Sequence, residues 1–497
     1  MSSISQAASV LLARGPHFAD VLLVRRADRL RFFGGFWAFP GGKVSLGDAG
    51  VPGAGLLVPR LVTAVRELFE ETGVLLARTA DGQFPAPSPP LTDARSLLIE
   101  ERLSFAEFLQ KFKLHLSTDD FAVLGEITTP EFAPIRFATT FFVAHLPGNQ
   151  QVDFWPGELA EAVWTTPAEM LQRWRRGEAL VSPPTVMTLQ AIEGRSADEA
   201  PARLGPLLEQ LAGGATHPIY FAPEVQLLPL RAPVLPPVQH TNAYLVGNGP
   251  RYLIDPGADQ ADEQQRLFDV LDAHQAAGRT LTAVVLTHHH RDHVGAATAC
   301  AERYRVPIWA HPRTAQALVG RVAAEAKLAD GDRLDLGPRP DGGGAWFLEA
   351  LHTPGHAAGH LCFYDPFYRF LFAGDMISTA TSVVIAPPDG DLGLYLESLG
   401  RLRDLPARLL LPAHGNVSSR PRQTIEDALQ HRLQREAQLV AALAAGPRSV
   451  EELGPELYRG LPENLMPFAH LQIRAGLEKL RREGRAESAD GVWRAKR

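Results

Sequence analysis

Cysteine is scarce in this chain of 497 residues, which contains only Cys300 and Cys362. Two cysteines cannot build a disulfide framework, so the composition favours a reducing compartment. No apolar stretch is long enough to span a bilayer, and the first residues lack the basic start and long apolar run of a secretory signal. We therefore expect a cytoplasmic protein that does not engage a membrane.

A strong excess of charge is also missing. The net charge is −7, and 45% of the residues are hydrophobic and 21% charged, which is typical of a globular protein. This balance provides no overall positive field that would attract nucleic acid. The chain is too long for a single core. Turn-rich boundaries predict three domains, at residues 4–213, 223–420 and 424–497.

Histidine and aspartate are concentrated in one short run of the middle domain. Residues 287–293 contain the pattern H-x-H-x-D-H directly after the apolar residues 283–286. Further metal-competent residues follow apolar segments downstream, and the full set is His288, His290, Asp292, His293, His356, Asp375 and His414. Imidazoles and carboxylates at this density are typical ligands of Zn, Fe or Mn. The pattern therefore predicts metal-assisted hydrolysis at strand ends.

These motifs, in this order, resemble the metallo-β-lactamase superfamily over the whole middle domain. The resemblance implies an αββα sandwich with two Zn ions, or Fe or Mn in their place. It implies one ion on His288, His290 and His356, a second on Asp292, His293 and His414, and Asp375 as a bridge. A metal-bound hydroxide would attack an ester or thioester, with Asp292 among the catalytic residues.

The resemblance also implies a supporting role for one aspartate. Asp255 would orient a ligand histidine through a hydrogen bond. Three other residues lie close to the metal motif in sequence, namely His289, Arg291 and His360. We expect these three to be structural or to lie at the rim of the site.

A helix in the N-terminal domain has three glutamates on one face. Residues 59–72 show a helical apolar pattern before Gly73, and Glu67, Glu70 and Glu71 are spaced i, i+3 and i+4. Like charges on one face are unfavourable unless cations neutralise them, and oxygen ligands suit Mg²⁺ or Mn²⁺. The pattern predicts a metal site for phosphate chemistry, and a solvated acidic face is the alternative.

The sequence around these glutamates, residues 42–48 and 66–74, resembles the Nudix box. The resemblance implies an α/β/α sandwich that hydrolyses a nucleoside diphosphate linked to another group. It implies that Glu67, Glu70 and Glu71 bind Mg or Mn, that Glu70 and Glu71 are catalytic, and that Arg66 orients a glutamate. The sequence departs from the family pattern in two ways. Asp48 stands where the family has Glu, and an insertion at residues 49–59 follows it.

The general base of this reaction is left open by the sequence. It is one of the glutamates of the box or a later carboxylate such as Glu126 or Glu131.

A narrower resemblance concerns the residues that precede the box. The segment 22–27 (LLVRRA), Arg31 and the turn at residues 39–42 resemble coenzyme A pyrophosphatases, although Val24 stands where that group prefers Thr. The resemblance implies that the substrate is bound by Arg26, Arg31, Gly41 and Gly42. Arginines can grip phosphates with two parallel hydrogen bonds. The alternative is that both arginines cap the sheet or pair with surface carboxylates.

The C-terminal domain is predicted to be a small winged helix. A helix, a longer helix and a short β-wing follow one another in that order. The densest basic cluster of the domain consists of Lys479, Arg481, Arg482 and Arg485. With the middle domain it resembles the β-lactamase-like-2 subgroup, which includes a single-strand-specific ribonuclease. RNA is therefore one expected partner. A lid or a homodimerisation module is the alternative.

The expected fold class is α/β and α+β multidomain, and three functional hypotheses remain. In the first, a bifunctional hydrolase cleaves the pyrophosphate of CoA or acyl-CoA in one half and an ester or thioester in the other. In the second, both halves process RNA and nucleotides. In the third, the Nudix half is a non-catalytic ligand sensor, although its intact glutamates argue against this.

Overall fold

The computed structural model describes residues 4–15, 17, 19–30, 33–51, 58–130, 136–214 and 216–496. The chain divides into two compact units, residues 1–223 and 224–497. The predicted C-terminal domain lies inside the second unit, and the three predicted domain ranges stay predictions. Within the described ranges, no helix is both long and apolar enough to cross a membrane.

The first unit contains a mixed sheet of seven strands with helices on both faces, and an eighth strand of this unit lies outside that sheet. Its strands are β1 (Ser5–Arg14), β2 (Asp20–Arg26), β3 (Trp37–Ala38), β4 (Gly41–Lys43), β5 (Ala122–Thr128), β6 (Phe137–His145), β7 (Leu159–Thr165) and β8 (Ile219–Ala222). Its helices are α1 (Val58–Thr72), α2 (Pro89–Ile99), α3 (Phe105–Phe112), α4 (Pro167–Arg175), α5 (Pro183–Ala191) and α6 (Ala200–Ala212). The sheet order is β3-β2-β1-β6-β5, with β4 paired to β1 and β7 paired to β2.

Strand β1 shows why this sheet is covered on both sides. Val10 and Leu12 belong to a core with α1, α2 and α3, whereas Leu11 and Ala13 belong to a second core with α4, α5 and α6. Successive side chains of a strand point to opposite faces, so an apolar strand without polar alternation requires two covering layers. The apolar run at residues 21–24 likewise lies within β2 and is buried. The predicted helix at 59–72 is confirmed as Val58–Thr72.

The second unit contains two sheets and a small C-terminal sheet. Its strands are β9 (Val225–Arg231), β10 (His240–Val246), β11 (Tyr252–Ile254), β12 (Ala283–Val285), β13 (Ile308–Ala310), β14 (Ala324–Ala326), β15 (Arg333–Pro338), β16 (Ala345–His352), β17 (Leu361–Asp365), β18 (Phe370–Gly374), β19 (Leu409–Pro412), β20 (Arg448–Ser449), β21 (Ala486–Ala489) and β22 (Val492–Ala495). Its helices are α7 (Ala261–Ala276), α8 (Arg291–Val294), α9 (Ala297–Tyr304), α10 (Pro312–Leu318), α11 (Leu392–Arg403), α12 (Pro421–Ala444), α13 (Val450–Leu457) and α14 (Met466–Arg482).

The two larger sheets pack face to face between helices, which gives the αββα sandwich. One sheet runs β14-β13-β12-β11-β10-β9, and the other runs β15-β16-β17-β18-β19. Helices α7, α9 and α10 share a core with the first sheet, and α11 and α12 share a core with the second. Between the sheets, the rings of Tyr244 and Phe372 meet edge to face with their centres 5.2 Å apart.

Helix α12 connects the sandwich to the C-terminal winged helix. Near its start, Ile425 is buried in the core of the second sheet. Near its end, Leu439 and Leu443 are buried with Leu477 of α14 and Trp493 of β22. This helix therefore packs on the sandwich and leads into the C-terminal winged helix.

Candidate metal centres

Strand ends of the second unit converge on one group of polar side chains. Asp255 follows β11, His288 and His290 follow β12, His356 follows β16, Asp375 follows β18 and His414 follows β19. The short helix α8 adds Asp292 and His293. Except for the two residues on α8, these side chains follow the ends of apolar strands, because a strand is fixed in the core while its end is free to present a polar side chain.

Three histidines form the first group. The Nε2 atoms of His288 and His356 both lie 2.9 Å from Nδ1 of His290, and they are 3.2 Å from each other. Three nitrogens at such separations can share one cation, since Zn–N bonds are about 2.0–2.1 Å long. The group is one of those that could hold a metal ion.

The second group combines Asp292, His293 and His414. Oδ2 of Asp292 lies 3.3 Å from Nε2 of His414 and 3.7 Å from Nε2 of His293. Its ligand atoms are likewise close enough to hold a metal ion. One carboxylate oxygen and two imidazole nitrogens suit a borderline transition metal.

Asp375 lies between the two groups. Its Oδ1 is 3.4 Å from Nε2 of His293 and 3.3 Å from Nε2 of His414, whereas its Oδ2 is 3.5 Å from Nε2 of His356. Both His293 Nε2 and Asp375 Oδ1 are buried without a hydrogen-bond partner. Buried polar atoms are normally paired, so these two orphaned atoms fit a cation between them.

Hydrogen bonds on the outer side fix the histidine rings. Asp255 accepts hydrogen bonds from Nδ1 of His293 (2.8 Å) and from the hydroxyl of Thr287 (2.6 Å), which in turn accepts from Nδ1 of His288 (2.9 Å). Nδ1 of His356 donates to the carbonyl of Val384 over 2.8 Å.

The same arrangement occurs at His414, whose Nδ1 donates to the carbonyl of His240 over 3.1 Å. With Nδ1 occupied in each of these rings, Nε2 is the nitrogen left for the centre.

The two groups differ in charge. Burial lowers the pKa of His290 to about 3, and the neighbouring His356 adds to this effect, so the first group presents neutral imidazoles. At His414, burial is outweighed by the charges of Asp375 and Asp292, which raise the pKa to about 10. Despite burial, His414 and His293 hold the pKa of Asp375 well below its usual range. A divalent cation would replace the protons of this second group.

Three nearby residues lie outside both groups. His360 is buried, and its Nε2 accepts a hydrogen bond from the backbone N–H of Asp375 over 3.1 Å. Gly374 permits this approach, because a Cβ there would lie 2.6 Å from the same nitrogen. His289 lies 3.7 Å from Asp389, and the exposed Arg291 pairs with Asp259. His289 also forms, with His290 and Asp389, a further group whose ligand atoms are close enough to hold a metal ion. The structural or rim roles expected for the three residues stay a prediction.

In the first unit, Arg66 organises the carboxylates of α1. Its Nη1 lies 2.9 Å from both Glu67 and Glu70, and its Nε lies 2.8 Å from Asp48. Asp48 is fully buried and also accepts hydrogen bonds from the backbone of Ser45 and the hydroxyl of Thr63. The aspartate that departs from the Nudix pattern therefore anchors Arg66.

The turn before the box closes against the same helix. Oε2 of Glu71 accepts a hydrogen bond from the backbone N–H of Gly41 over 3.0 Å. A Cβ at position 42 would lie 2.4 Å from the Glu67 carboxyl, so any larger residue there would displace this side chain. Nε of Arg26 is buried without a partner, and its charge acts on Glu71.

Burial makes these carboxylates unusual acids. It raises the pKa of Glu70 to about 7, against the opposing charge of Arg66 and with a further contribution from Glu67. It raises the pKa of Glu71 well above the usual range, again with repulsion from Glu67. Concentrated negative charge of this kind favours a bound divalent cation.

The candidate bases have different surroundings. Glu126 lies on β5 and forms an ion pair with Arg60 at 2.7 Å. Glu131 and Arg31 lie outside the described residues. Sequence reasoning missed Glu158, an exposed residue before β7 whose charge acts on both Glu67 and Glu71. It is far from the box in sequence, and no motif marks it.

Comparison with known proteins matches each part of the chain to a family. Residues 236–414 match the Metallo-beta-lactamase superfamily, residues 55–192 the NUDT19 Nudix domain, and residues 449–493 the Beta-lactamase associated winged helix domain.

Individual relatives cover the second half of the chain. The Beta-lactamase-like protein 2 homolog of Drosophila melanogaster is 32% identical over 267 residues, which are 51% of this chain and 87% of the relative. The Atrochrysone carboxyl ACP thioesterase of Passalora fulva is 32% identical over 233 residues, 44% of this chain and 63% of the relative. A beta-lactamase domain protein from Burkholderia ambifaria is 24% identical with a TM-score of 0.50, covers 57% of this chain and 94% of its own, and supports the fold.

The chain is therefore a hydrolase that belongs to the metallo-beta-lactamase superfamily. It combines this domain with a Nudix domain of the NUDT19 type and a winged helix, as the sequence motifs predicted. Both hydrolase families bind divalent metals, and both act on small molecules.

Replacing Asp255 tests the outer hydrogen bonds of the metal centre. Asp255→Asn loses one acceptor for His293 and Thr287, and we expect metal affinity to fall by roughly 10-fold or more, as for other residues that orient metal ligands. Competition with a chromophoric chelator measures this for Zn²⁺. The matched control is Asp269→Asn on α7, whose partner is an exposed glutamine. Equal affinities in both variants would refute the role of Asp255.

Replacing Asp48 tests the anchor of the glutamate helix. Asp48→Ala leaves a nearly buried guanidinium with fewer partners, and we expect the first unit to lose about 3 kcal/mol of stability. Hydrogen exchange of α1 peptides in denaturant reports on this unit separately. The control Asp28→Ala removes an exposed partner of Arg25 and should change stability by less than about 0.5 kcal/mol. A similar loss in both variants would contradict the prediction.

Proposed function

We propose that the protein is a bifunctional, metal-dependent hydrolase. The metallo-beta-lactamase half would cleave an ester or thioester, and the Nudix half would cleave the pyrophosphate of CoA or acyl-CoA. The observation that carries the proposal is the pair of ligand groups around Asp375, where Nε2 of His293 and Oδ1 of Asp375 are buried without a hydrogen-bond partner. We assign the metal ligands of this half as His288, His290, Asp292, His293, His356, Asp375 and His414.

The residues of the second unit prepare a site for ester hydrolysis. A divalent metal pair, Zn or alternatively Fe or Mn, supplies activation of water and polarisation of the scissile carbonyl when bound. Asp255, Val384 and His240 hold the rings of His293, His356 and His414 with Nε2 toward the centre. Asp375 presents one carboxylate oxygen to each group, and we propose it as the bridging ligand.

The thioester preference is supported by a relative. The Passalora fulva protein is named as a thioesterase that acts on an acyl carrier protein. An acyl carrier protein and CoA present their acyl groups through the same phosphopantetheine thioester. The same chain also carries a domain of the NUDT19 type. We therefore favour a substrate class that contains both a thioester and a pyrophosphate, so that each half could act on it.

The residues of the first unit suit a phosphoanhydride. Mg²⁺ or Mn²⁺, when bound, neutralises the carboxylates and the phosphate oxygens. We propose Glu67, Glu70 and Glu71 as the metal ligands, with Glu70 and Glu71 also catalytic. Arg66 holds Glu67 and Glu70 in place, and the unpartnered Nε of Arg26 is a donor for a phosphate oxygen.

The RNA-processing alternative has less support from the C-terminal domain. Lys479 and Arg485 pair with Glu436 and Glu483, Arg481 pairs with Glu478, and Arg482 pairs with Asp391. The basic cluster is therefore largely neutralised within the chain, whereas nucleic-acid binding requires unpaired positive charge.

Mass spectrometry of products tests the thioesterase half. Incubation of the full chain with a medium-chain acyl-CoA and divalent metal should release free CoA, and Asp292→Ala should abolish this release while Asp269→Asn retains it. Asp292 is a proposed metal ligand and is needed for the reaction, whereas Asp269 lies on an exposed face of α7. Intact thioester with the metal-loaded wild-type protein would contradict the thioester proposal.

The same reaction mixture tests the Nudix half through a different product. Cleavage of the pyrophosphate should release adenosine 3′,5′-bisphosphate, and Glu70→Gln should reduce its release by roughly 100-fold or more. Glu100→Gln is the control, because Glu100 is exposed and pairs with Arg102. If the wild-type protein releases no adenosine 3′,5′-bisphosphate, the result would favour the ligand-sensor hypothesis for this domain.

A further inference from the structure

The segment 383–391, between β18 and α11, contacts the loop that presents His356. Nδ1 of His356 donates to the carbonyl of Val384 over 2.8 Å. The backbone N–H of Asp391 donates to the carbonyl of Gly355 over 2.7 Å, and the N–H of Ala358 donates to Asp389 over 3.2 Å. The segment therefore holds this loop on both sides of the histidine.

On its other side, the segment is held by two long helices. Nε2 of Gln472 donates to the carbonyl of Val383 over 2.6 Å, and Oε1 of Gln472 accepts from the N–H of Ile385 over 3.3 Å. Arg432 of α12, which is buried, also donates to the Val383 carbonyl. The guanidinium of Arg482 forms two hydrogen bonds with the carboxylate of Asp391. Gln472 and Arg482 both lie on α14, inside the winged-helix match.

One peptide group joins these two sets of contacts. The carbonyl of Val384, which accepts from His356, and the N–H of Ile385, which donates to Gln472, belong to the same planar unit. Fixing the N–H therefore fixes the direction of the carbonyl. Hydrogen bonds in such a chain also polarise one another, so the contact with Gln472 strengthens the bond to the imidazole.

Arg482 acts on the same loop by a second route. Its partner Asp391 uses a side-chain oxygen to cap α11 at Leu394 and uses its backbone N–H to hold Gly355. The ion pair thus fixes the residue that holds the neighbour of His356.

We propose that Gln472 and Arg482 make the winged helix a positioning element of the metal centre, which orients the His356 imidazole through the segment 383–391. The inference rests on the proposed function, because it takes His356 as a metal ligand. It gives the C-terminal domain a role that requires neither RNA nor a second copy of the chain.

Cobalt binding to the full chain tests this role without measuring catalysis. Gln472→Met keeps a side chain of similar length but removes both hydrogen bonds. Gln438→Met is its control, since Gln438 is exposed and accepts a hydrogen bond from Arg435 of its own helix. Arg482→Ala is matched by Arg481→Ala one position away, whose partner Glu478 is on the same helix. Absorption titration gives the Co²⁺ affinity and the visible spectrum of each variant, and thermal unfolding in a chelator reports on the fold.

We expect Gln472→Met to weaken one of two Co²⁺ sites by roughly 10-fold and to alter its spectrum, as for other residues that orient metal ligands. Arg482→Ala should weaken the same site, whereas both controls should match the wild-type protein. Wild-type affinity and spectrum in Gln472→Met and Arg482→Ala, or equal losses in the controls, would overturn the inference. Absence of Co²⁺ binding by the wild-type protein would instead refute the proposed metal centre itself. If Gln472→Met does not fold, the half-exposed Arg482 and its control decide the question.

Discussion

The second unit depends on one constraint, the enclosure of the buried Asp375 and the partly buried Asp292 among imidazoles. Carboxylates removed from water are stable only beside positive charge or hydrogen-bond donors, and here they face His293 and His414 within 3.3 to 3.7 Å. The rings must therefore be held in fixed orientations, since a rotated ring would leave a buried charge unpaired. Asp255 and two backbone carbonyls provide that restraint, and the segment 383–391 extends it to the C-terminal helices.

The first unit meets the same problem with different chemistry. Its buried carboxylates are held by a single guanidinium, Arg66, which contacts Asp48, Glu67 and Glu70. The remaining ligand atoms are all oxygens, which suit Mg²⁺ or Mn²⁺, whereas the imidazole-rich centre of the second unit suits Zn or Fe. One chain thus presents two metal environments of different hardness, each matched to the bond that we propose it cleaves.

The local clusters of candidate ligands could be predicted from the sequence because they depend on short spacings, whereas most of the fold and the places of His356, Asp375 and His414 followed from the family resemblance. The H-x-H-x-D-H run and the i, i+3, i+4 glutamates place side chains together through local geometry alone. The supporting contacts could not be predicted. The carbonyls of Val384 and His240 carry no residue signature, since every residue has one. Gln472 lies 87 residues beyond its partner Ile385, and the anchoring role of Asp48 appears only once the helix packs against its turn.

The metal content of the purified full chain tests the central claim most directly. Elemental analysis, combined with anomalous diffraction at the metal edges, gives both the number and the position of transition-metal ions. The account predicts two ions in the second unit, one among His288, His290 and His356 and the other among Asp292, His293 and His414, with Asp375 between them. A single ion, or none after growth and purification with added Zn²⁺, Fe²⁺ and Mn²⁺, would contradict it.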